Sequence, residues 1–396
     1  MRKKIIFLPI VFFHLFMNQW MVWGQYAPVT VFESGAMGYK NFRIPAIIQL
    51  PDHTILAFCE GRVNGLNDFG DINIVMKTSR DGGKTWSGIQ TVVDADRLQA
   101  GNPAPVVDLT DPRYPRGRIF LFYNTGNNHE GEIRKGKGLR EVWYKTSLNN
   151  GETWSEPVNI TLQTHRPSQP SLNPAYLFKD DWRSYANTPG HAMQFSKGKY
   201  RGRIFVAANH SAGEPQKNFT DYTAHGFFTD DHGKSFRLSE SVNFPGSNES
   251  TAAEIGNNRL MMNSRNQQGD RRFRIISISS DGGKSWEKSF FDSSLSDPVC
   301  EGSLLFLGYK KNKAILAFSN NDDQQQRNKL TLRISFNNGF NWQKSIGIDK
   351  ADTNVQKDYT GYSDIVKLDG QHIGILYEKD NYARIVFAVT KWDSHE

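Results

Sequence analysis

Residues 79–86 read SRDGGKTW, and the pattern returns at 147–154 (SLNNGETW), 229–236 (TDDHGKSF), 279–286 (SSDGGKSW) and 335–342 (SFNNGFNW). The shared form is Ser/Thr-x-Asp/Asn-x-Gly-x-x-aromatic. Such a recurrence governs the whole fold, because each repeat marks one supersecondary unit. Each octapeptide predicts a tight hairpin turn. The Asp or Asn side chain folds onto nearby backbone N–H groups, Gly takes the position with φ > 0, and the final aromatic fills an apolar gap. Asp81, Asn149, Asp231, Asp281 and Asn337 are therefore structural, since a catalytic site is not repeated five times around one chain.

Outward from the turns the chain reads as short strands. Segments 46–50, 54–60 and 72–78 lead into the first turn, 118–124 and 141–146 into the second, and 203–209 and 224–228 into the third. Segments 250–255, 259–264 and 273–279 lead into the fourth, and 303–307, 314–319 and 330–335 into the fifth. A sixth unit, 363–368, 371–378 and 383–392, has no turn after it. No stretch shows helical periodicity. Six such units predict an all-β chain, a six-bladed β-propeller with four antiparallel strands per blade, in which 29–33 closes the ring. Radial closure hides the strand edges. Two packed sandwich domains would predict no such repeat.

Composition agrees. The 396 residues include 34 Gly, 26 Phe, 14 Tyr and 9 Trp, a turn-rich and β-forming set. At 38% hydrophobic and 22% charged the chain folds and is not disordered. Two Cys exclude a disulfide scaffold and a four-cysteine zinc site. Cys59 and Cys300 read as buried free thiols, although an exported chain can pair them.

Residues 1–24 read as a signal peptide: Arg2, Lys3 and Lys4 precede an apolar run over 5–17. That run is shorter than the roughly 20 apolar residues of a membrane-spanning helix. Cleavage near residue 24 predicts a periplasmic, secreted or cell-surface protein with no stable membrane anchor, and leaves 25–396 as a single domain. It also removes three of the positive charges behind the formal +7. No Lys/Arg-rich run follows, so nucleic acid is not an expected partner. A mild positive field suits a small anionic substrate.

Asn41-Phe42-Arg43-Ile44-Pro45 opens the first unit. Together with the octapeptides it resembles the bacterial exo-α-sialidases (neuraminidases) of glycoside hydrolase family 33, over about residues 34–392. The resemblance implies an enzyme that hydrolyses terminal α-linked sialic acids from glycoproteins, glycolipids and oligosaccharides, without metal or cofactor; a monomer is expected.

Sialic acid carries a carboxylate on its anomeric carbon, and arginine meets a carboxylate with a planar fork of donors. The resemblance assigns this task to Arg43, to Arg265 in Met262-Asn263-Ser264-Arg265, and to Arg333 in Leu332-Arg333-Ile334-Ser335. Arg62 matches a further arginine lining the sugar pocket. Asp68 matches the acid/base, with Asp71 as the competing carboxylate; the acid's pKa must rise from roughly 3.9 to work near neutrality. Tyr362 in Gly361-Tyr362-Ser363 matches the nucleophile, with Tyr359 nearby. A neutral phenol avoids the repulsion a carboxylate would meet, and sialidases are the known exception to two-carboxylate glycosidase chemistry. A phenol needs a base beside it, and Glu249 matches, with Glu254 as the alternative. The implied mechanism is retaining double displacement through a sialyl-tyrosine. Passing that intermediate to another sugar, or to the substrate's own hydroxyl, would make a trans-sialidase or an intramolecular one. A non-catalytic sialic-acid-binding propeller would lack the acid, the base or the nucleophile.

Overall fold

The computed structural model describes residues 27–351 and 359–393; the signal-peptide reading lies outside them. After β1 (Val29–Glu33), the strands β2 (Asn41–Gln49), β3 (Ile55–Arg62), β4 (Ile72–Ser79) and β5 (Gln90–Val93) form one antiparallel meander. The next is β6 (Gln99–Asp108), β7 (Arg118–Gly126), β8 (Arg140–Ser147) and β9 (Val158–Asn159). Then β10 (Trp182–Asn187), β11 (Met193–Gln194), β12 (Ile204–Ala212), β13 (Tyr222–Thr229) and β14 (Arg237–Leu238) make a five-stranded sheet. Four strands follow, β15 (Ser247–Glu254), β16 (Leu260–Asn266), β17 (Phe273–Ser279) and β18 (Lys288–Ser296). Four more are β19 (Ser303–Lys310), β20 (Lys313–Asn321), β21 (Leu330–Ser335) and β22 (Lys344–Asp349). The last sheet is β23 (Thr360–Lys367), β24 (His372–Lys379) and β25 (Arg384–Lys391), completed by β1.

The chain is all-β as expected, but the expectation of six separate blades is corrected. The strands bond into five sheets: four propeller blades of four or five strands, and one continuous sheet of eight. The cause is local. Ile72 of β4 pairs in parallel with Gln99 of β6, and the Ile72 N–H reaches the Leu98 carbonyl at 3.3 Å, so the first two meanders share one hydrogen-bonded surface. Strand periodicity does not encode such a bridge. The ring closes through its two ends: β1 pairs antiparallel with β25, Val29 opposite Phe387 and Glu33 opposite Arg384. β2 accordingly packs against both β6 and β23. Among the described residues no helix is long and apolar enough to cross a membrane.

The apolar core lies between successive meanders. Leu56, Phe58 and Met76 face Ile119, Leu121 and Tyr123, while Ile334 and Leu332 face Ile373 and Ile375. Cys59 and Cys300 are both buried free thiols.

The octapeptide turns wedge into this packing. In the first, Asp81 Oδ1 accepts from the Lys84 and Thr85 N–H groups, both at 3.0 Å, and its Oδ2 accepts from Thr85 Oγ1 at 2.6 Å. These bonds hold the carboxyl low, at about 2. Gly82 and Gly83 both take φ > 0 (76° and 89°). Trp86 then meets Phe387 of β25 edge-on, with ring centroids 5.4 Å apart. The two glycines differ in surroundings. A Cβ on Gly82 meets open space, whereas one on Gly83 falls 2.1 Å from the Phe387 ring. We expect Gly82→Ala to cost about 1–2 kcal/mol, from backbone strain alone. Gly83→Ala, which adds overpacking, costs roughly 2–5 kcal/mol. Denaturant unfolding of the two variants checks this, and equal losses would contradict the wedge.

Candidate active site

β2, β6, β10, β15 and β23 each carry a register shift near one end: Arg43/Ala46, Gly101/Ala104, Trp182/Tyr185, Ser247/Ser250 and Thr360/Ser363. A bulge re-aims side chains and frees backbone groups from the ladder. At each of these bulges a residue turns into one cavity of about 280 Å³: Arg43, Asn102, Ser184, Glu249 and Tyr362.

Backbone groups of these inner strands are caught by polar side chains on the adjoining second strands. Glu60 of β3 accepts the Asn102 N–H at 3.0 Å, and Asn124 of β7 accepts the Asn187 N–H at 2.8 Å. Asn321 of β20 donates to the Gly361 carbonyl at 3.0 Å. Glu378 of β24 does most. Its Oε1 accepts the Ile44 N–H at 2.9 Å and Arg43 Nε at 2.6 Å, and its Oε2 accepts the Tyr362 N–H at 2.9 Å. This clamp sustains Ile44 at φ 63°, a rare conformation for a β-branched residue. It also explains the glycine before Tyr362: a Cβ on Gly361 would fall 2.3 Å from Glu378 Oε2.

At the centre, Tyr362 donates its hydroxyl proton to Glu249 Oε1 at 2.5 Å. Arg265 Nη1 bridges Glu249 Oε2 at 2.7 Å and the Tyr362 oxygen at 2.8 Å. Burial pushes the phenol's pKa well up and the Glu249 charge adds to it, against Arg265 and Arg327. The hydroxyl is therefore neutral at rest, with an acceptor already in contact. Arg43 lies over the Tyr362 ring, 5.5 Å from its centroid, and Ile44 and Cys300 pack beside that ring.

On the wall contributed by β3, Arg62 is almost fully buried. It binds Glu60 Oε2 through Nε at 3.0 Å and Nη2 at 2.6 Å, and Nη1 reaches Asp68 Oδ1 at 2.8 Å. Asp68 projects from its loop with a side chain 72% exposed. Burial works to raise its pKa, but Arg62 and Arg43 outweigh it and hold the carboxyl below its ordinary value. The structure thus shows the opposite of the expected upward shift. Asp71 does not line the cavity; burial and Asp94 push its carboxyl up. Tyr359 accepts a bond from Lys379, and Glu254 pairs with Ser196, both outside the cavity.

Arg333 is the misplaced expectation. It lies in β21, two strands out from the axis, and its guanidinium is held by Asn320 Oδ1 at 2.9 Å and Asp322 Oδ2 at 2.7 Å. It does not line the cavity; Arg327 does, from the β20–β21 connection. Arg327 lies over the Tyr362 ring at 5.5 Å and donates to Tyr382 at 3.0 Å. Sequence reading favoured the arginine beside the octapeptide. The overlooked signal was an arginine in a polar connection (Gln324-Gln325-Gln326-Arg327) leaving a strand end. Arg140 also lines the cavity, and its buried Nε has no protein partner. In all, five arginines (43, 62, 140, 265 and 327) surround a space framed by Glu60, Asp68, Glu130 and Glu249. Five guanidinium groups suit a small anion.

Residues 52–375 match the family described as the BNR repeat-like domain. A sialidase of Micromonospora viridifaciens is 29% identical over 363 residues, covering 87% of this chain and 51% of that protein. A Bacteroides fragilis sialidase is 26% identical, over 92% of this chain and 64% of its own. An exo-alpha-sialidase of Arthroderma benhamiae is 27% identical, over 88% and 80%. The chain thus spans only about half to two-thirds of the first two relatives. Among solved structures, a Hadza microbial sialidase superposes with a TM-score of 0.74 at 24% identity, over 92% of this chain and 68% of that one. A leech intramolecular trans-sialidase gives 0.70 at 16%, over 92% and 70%. These two likenesses bear on the fold alone.

The arginine exchange is directly testable with free sialic acid in calorimetry. Arg327→Ala weakens binding roughly 10- to 100-fold, the worth of a charge-assisted hydrogen bond. Arg333→Ala, which breaks only the Asn320 and Asp322 contacts, leaves affinity within about twofold on the same scale. The reverse pattern would restore Arg333 to the site.

Proposed function

The chain belongs to the BNR repeat-like family, and from that membership, its sialidase relatives and the cavity's chemistry we propose that it is an exo-α-sialidase of the glycoside hydrolase family 33 type. The substrate is a terminal α-linked sialic acid on a glycoconjugate, and the chain works outside the cytoplasm after export. The observation that carries the reading is the Glu249–Tyr362–Arg265 contact set: a buried phenol already bonded to a carboxylate that can take its proton.

Arg43, Arg265 and Arg327 receive the sugar carboxylate. Tyr362 attacks the anomeric carbon as its proton passes to Glu249, and Asp68 gives its proton to the departing glycosidic oxygen. The sugar is then carried on the tyrosine oxygen, with its charge neutralised by the arginines. In the second half Asp68 takes a proton from water, the water oxygen replaces the tyrosine, and Glu249 returns the proton to the phenolate. Two inversions give net retention.

Tyr362→Phe removes the attacking oxygen and lowers turnover of a fluorogenic α-sialoside by roughly 10³-fold or more. Proton NMR of the first product from the native enzyme shows the α anomer of free sialic acid. An initial β anomer would exclude the covalent route, and a sialylated acceptor or an anhydro sugar as main product would assign the chain to sialyl transfer.

The Arg62–Asp68 pair sets a second test. A general acid works only while protonated, and the pair holds Asp68 low. Activity therefore falls as pH rises through a depressed pKa, which places the optimum on the acid side. Arg62→Gln lets that pKa rise, and the alkaline limb of kcat/KM moves up by roughly one unit. A limb that stays in place would remove Asp68 from the acid role.

A further inference from the structure

The chemistry above uses Tyr362 but not the residue two positions on, Asp364, which is wholly buried in the same strand. Its Oδ2 accepts the Ile47 N–H of β2 at 2.8 Å and the His191 N–H at 2.9 Å. Its Oδ1 accepts Ser303 Oγ of β19 at 2.6 Å, pairs with His191 Nδ1 at 2.7 Å, and takes its own neighbour's Ile365 N–H at 3.0 Å. One carboxylate thus ties β23 to β2, to β19 and to the 188–192 connection.

The pair lies among the inner strands β2, β19 and β23. On one side is the cavity lined by Arg43, Ile44 and Tyr362. On the other is a second cavity of about 490 Å³, lined by Ile47, His191, Ile365 and Phe306. Two charged groups in Ile- and Phe-rich surroundings cost desolvation energy, so the pair by itself adds little net stability. Their surroundings bear on the charge. Burial and the nearby Asp364 push the Glu301 carboxyl well up, while Arg201 and Lys367 lie at the far cavity. Burial works to neutralise His191, but Asp364 outweighs it and keeps the imidazolium favoured.

β23 needs such an anchor because its ladder to β24 is broken between Thr360 and Ser363, around the nucleophile. Tyr362 N–H goes to Glu378 and Ser363 N–H to Glu301 Oε2 at 3.0 Å. Those bonds hold the strand along its length; the Asp364 set holds it against its neighbours around the axis. We propose that the Asp364–His191 pair is a positioning element for the reaction, fixing β23 and the Tyr362 phenol relative to β2 and β19. The inference rests on the function proposed above, and a displacement of about 1 Å at the reacting atom suffices for a large rate loss.

The test compares the native chain with Asp364→Asn, His191→Gln and the double variant. In Asp364→Asn, kcat on a fluorogenic α-sialoside falls roughly ten- to hundredfold, the Kd for free sialic acid changes less than about threefold, and hydrogen exchange over 360–367 speeds up. The double variant, with no charge on either side, loses less than the product of the two single losses. Faster exchange with unchanged kcat would leave the pair a merely structural role and overturn the proposal. So would unchanged exchange, or single losses that multiply. Should Asp364→Asn fail to fold, Ser303→Ala, which removes one donor and keeps the pair, decides: slower kcat with faster exchange supports the proposal, and native values of both refute it. If the native chain turns over no sialoside, the functional reading fails by itself. The exchange arm then still decides whether the pair holds the strand.

Discussion

The structure depends on broken ladders that are mended from the side. Each inner strand that bulges toward the axis loses backbone partners, and a buried N–H without an acceptor is costly. Glu60, Asn124, Asn321 and Glu378, each at the cavity end of a second strand, make up the deficit by reaching an adjoining bulged inner strand. The bulges aim side chains at one point, and the polar caps make the bulges tenable. The caps on β2 and β23 hold the bulges that carry Arg43 and Tyr362.

The same arrangement determines the charge of the cavity. Carboxylates placed to receive backbone N–H groups also receive arginines: Glu378 holds Arg43, and Glu60 holds Arg62. The arginines are thereby preorganised, with their protein partners occupying part of the five-donor fork. The phenol stays protonated until Glu249 takes the proton, because burial and a neighbouring negative charge both oppose ionisation. Activation is thus tied to the base in direct contact, and Arg265 touches both groups.

Far from the axis the octapeptide turns do a different job. The Asp81 turn presses Gly83 and Trp86 onto Phe387 of the neighbouring sheet. The Asp231 turn brings Gly233 against Phe120, and Phe236 against Phe122, in the same manner. These turns set how closely meanders approach, and they contribute nothing to the cavity. Repetition in the sequence therefore marked packing, whereas the site was built from residues that do not repeat.

The all-β class, the positions of the hairpin turns, and the candidacy of Arg43, Arg62, Asp68, Glu249, Arg265 and Tyr362 were legible in the sequence. Each depends on a local signature: a turn that needs Asn/Asp and Gly, or a short motif around one side chain. Three things were decided only by the tertiary structure. A single parallel pairing, Ile72 with Gln99, joined two meanders into one sheet of eight strands. Arg327 took the cavity position expected of Arg333, because a guanidinium on the third strand from the axis found Asn320 and Asp322 before it could reach the centre. Asp68 was held low by Arg62, against the rise its role suggests. All three depend on which side chains and strands meet in three dimensions, and a short motif around one residue does not specify the partner it meets.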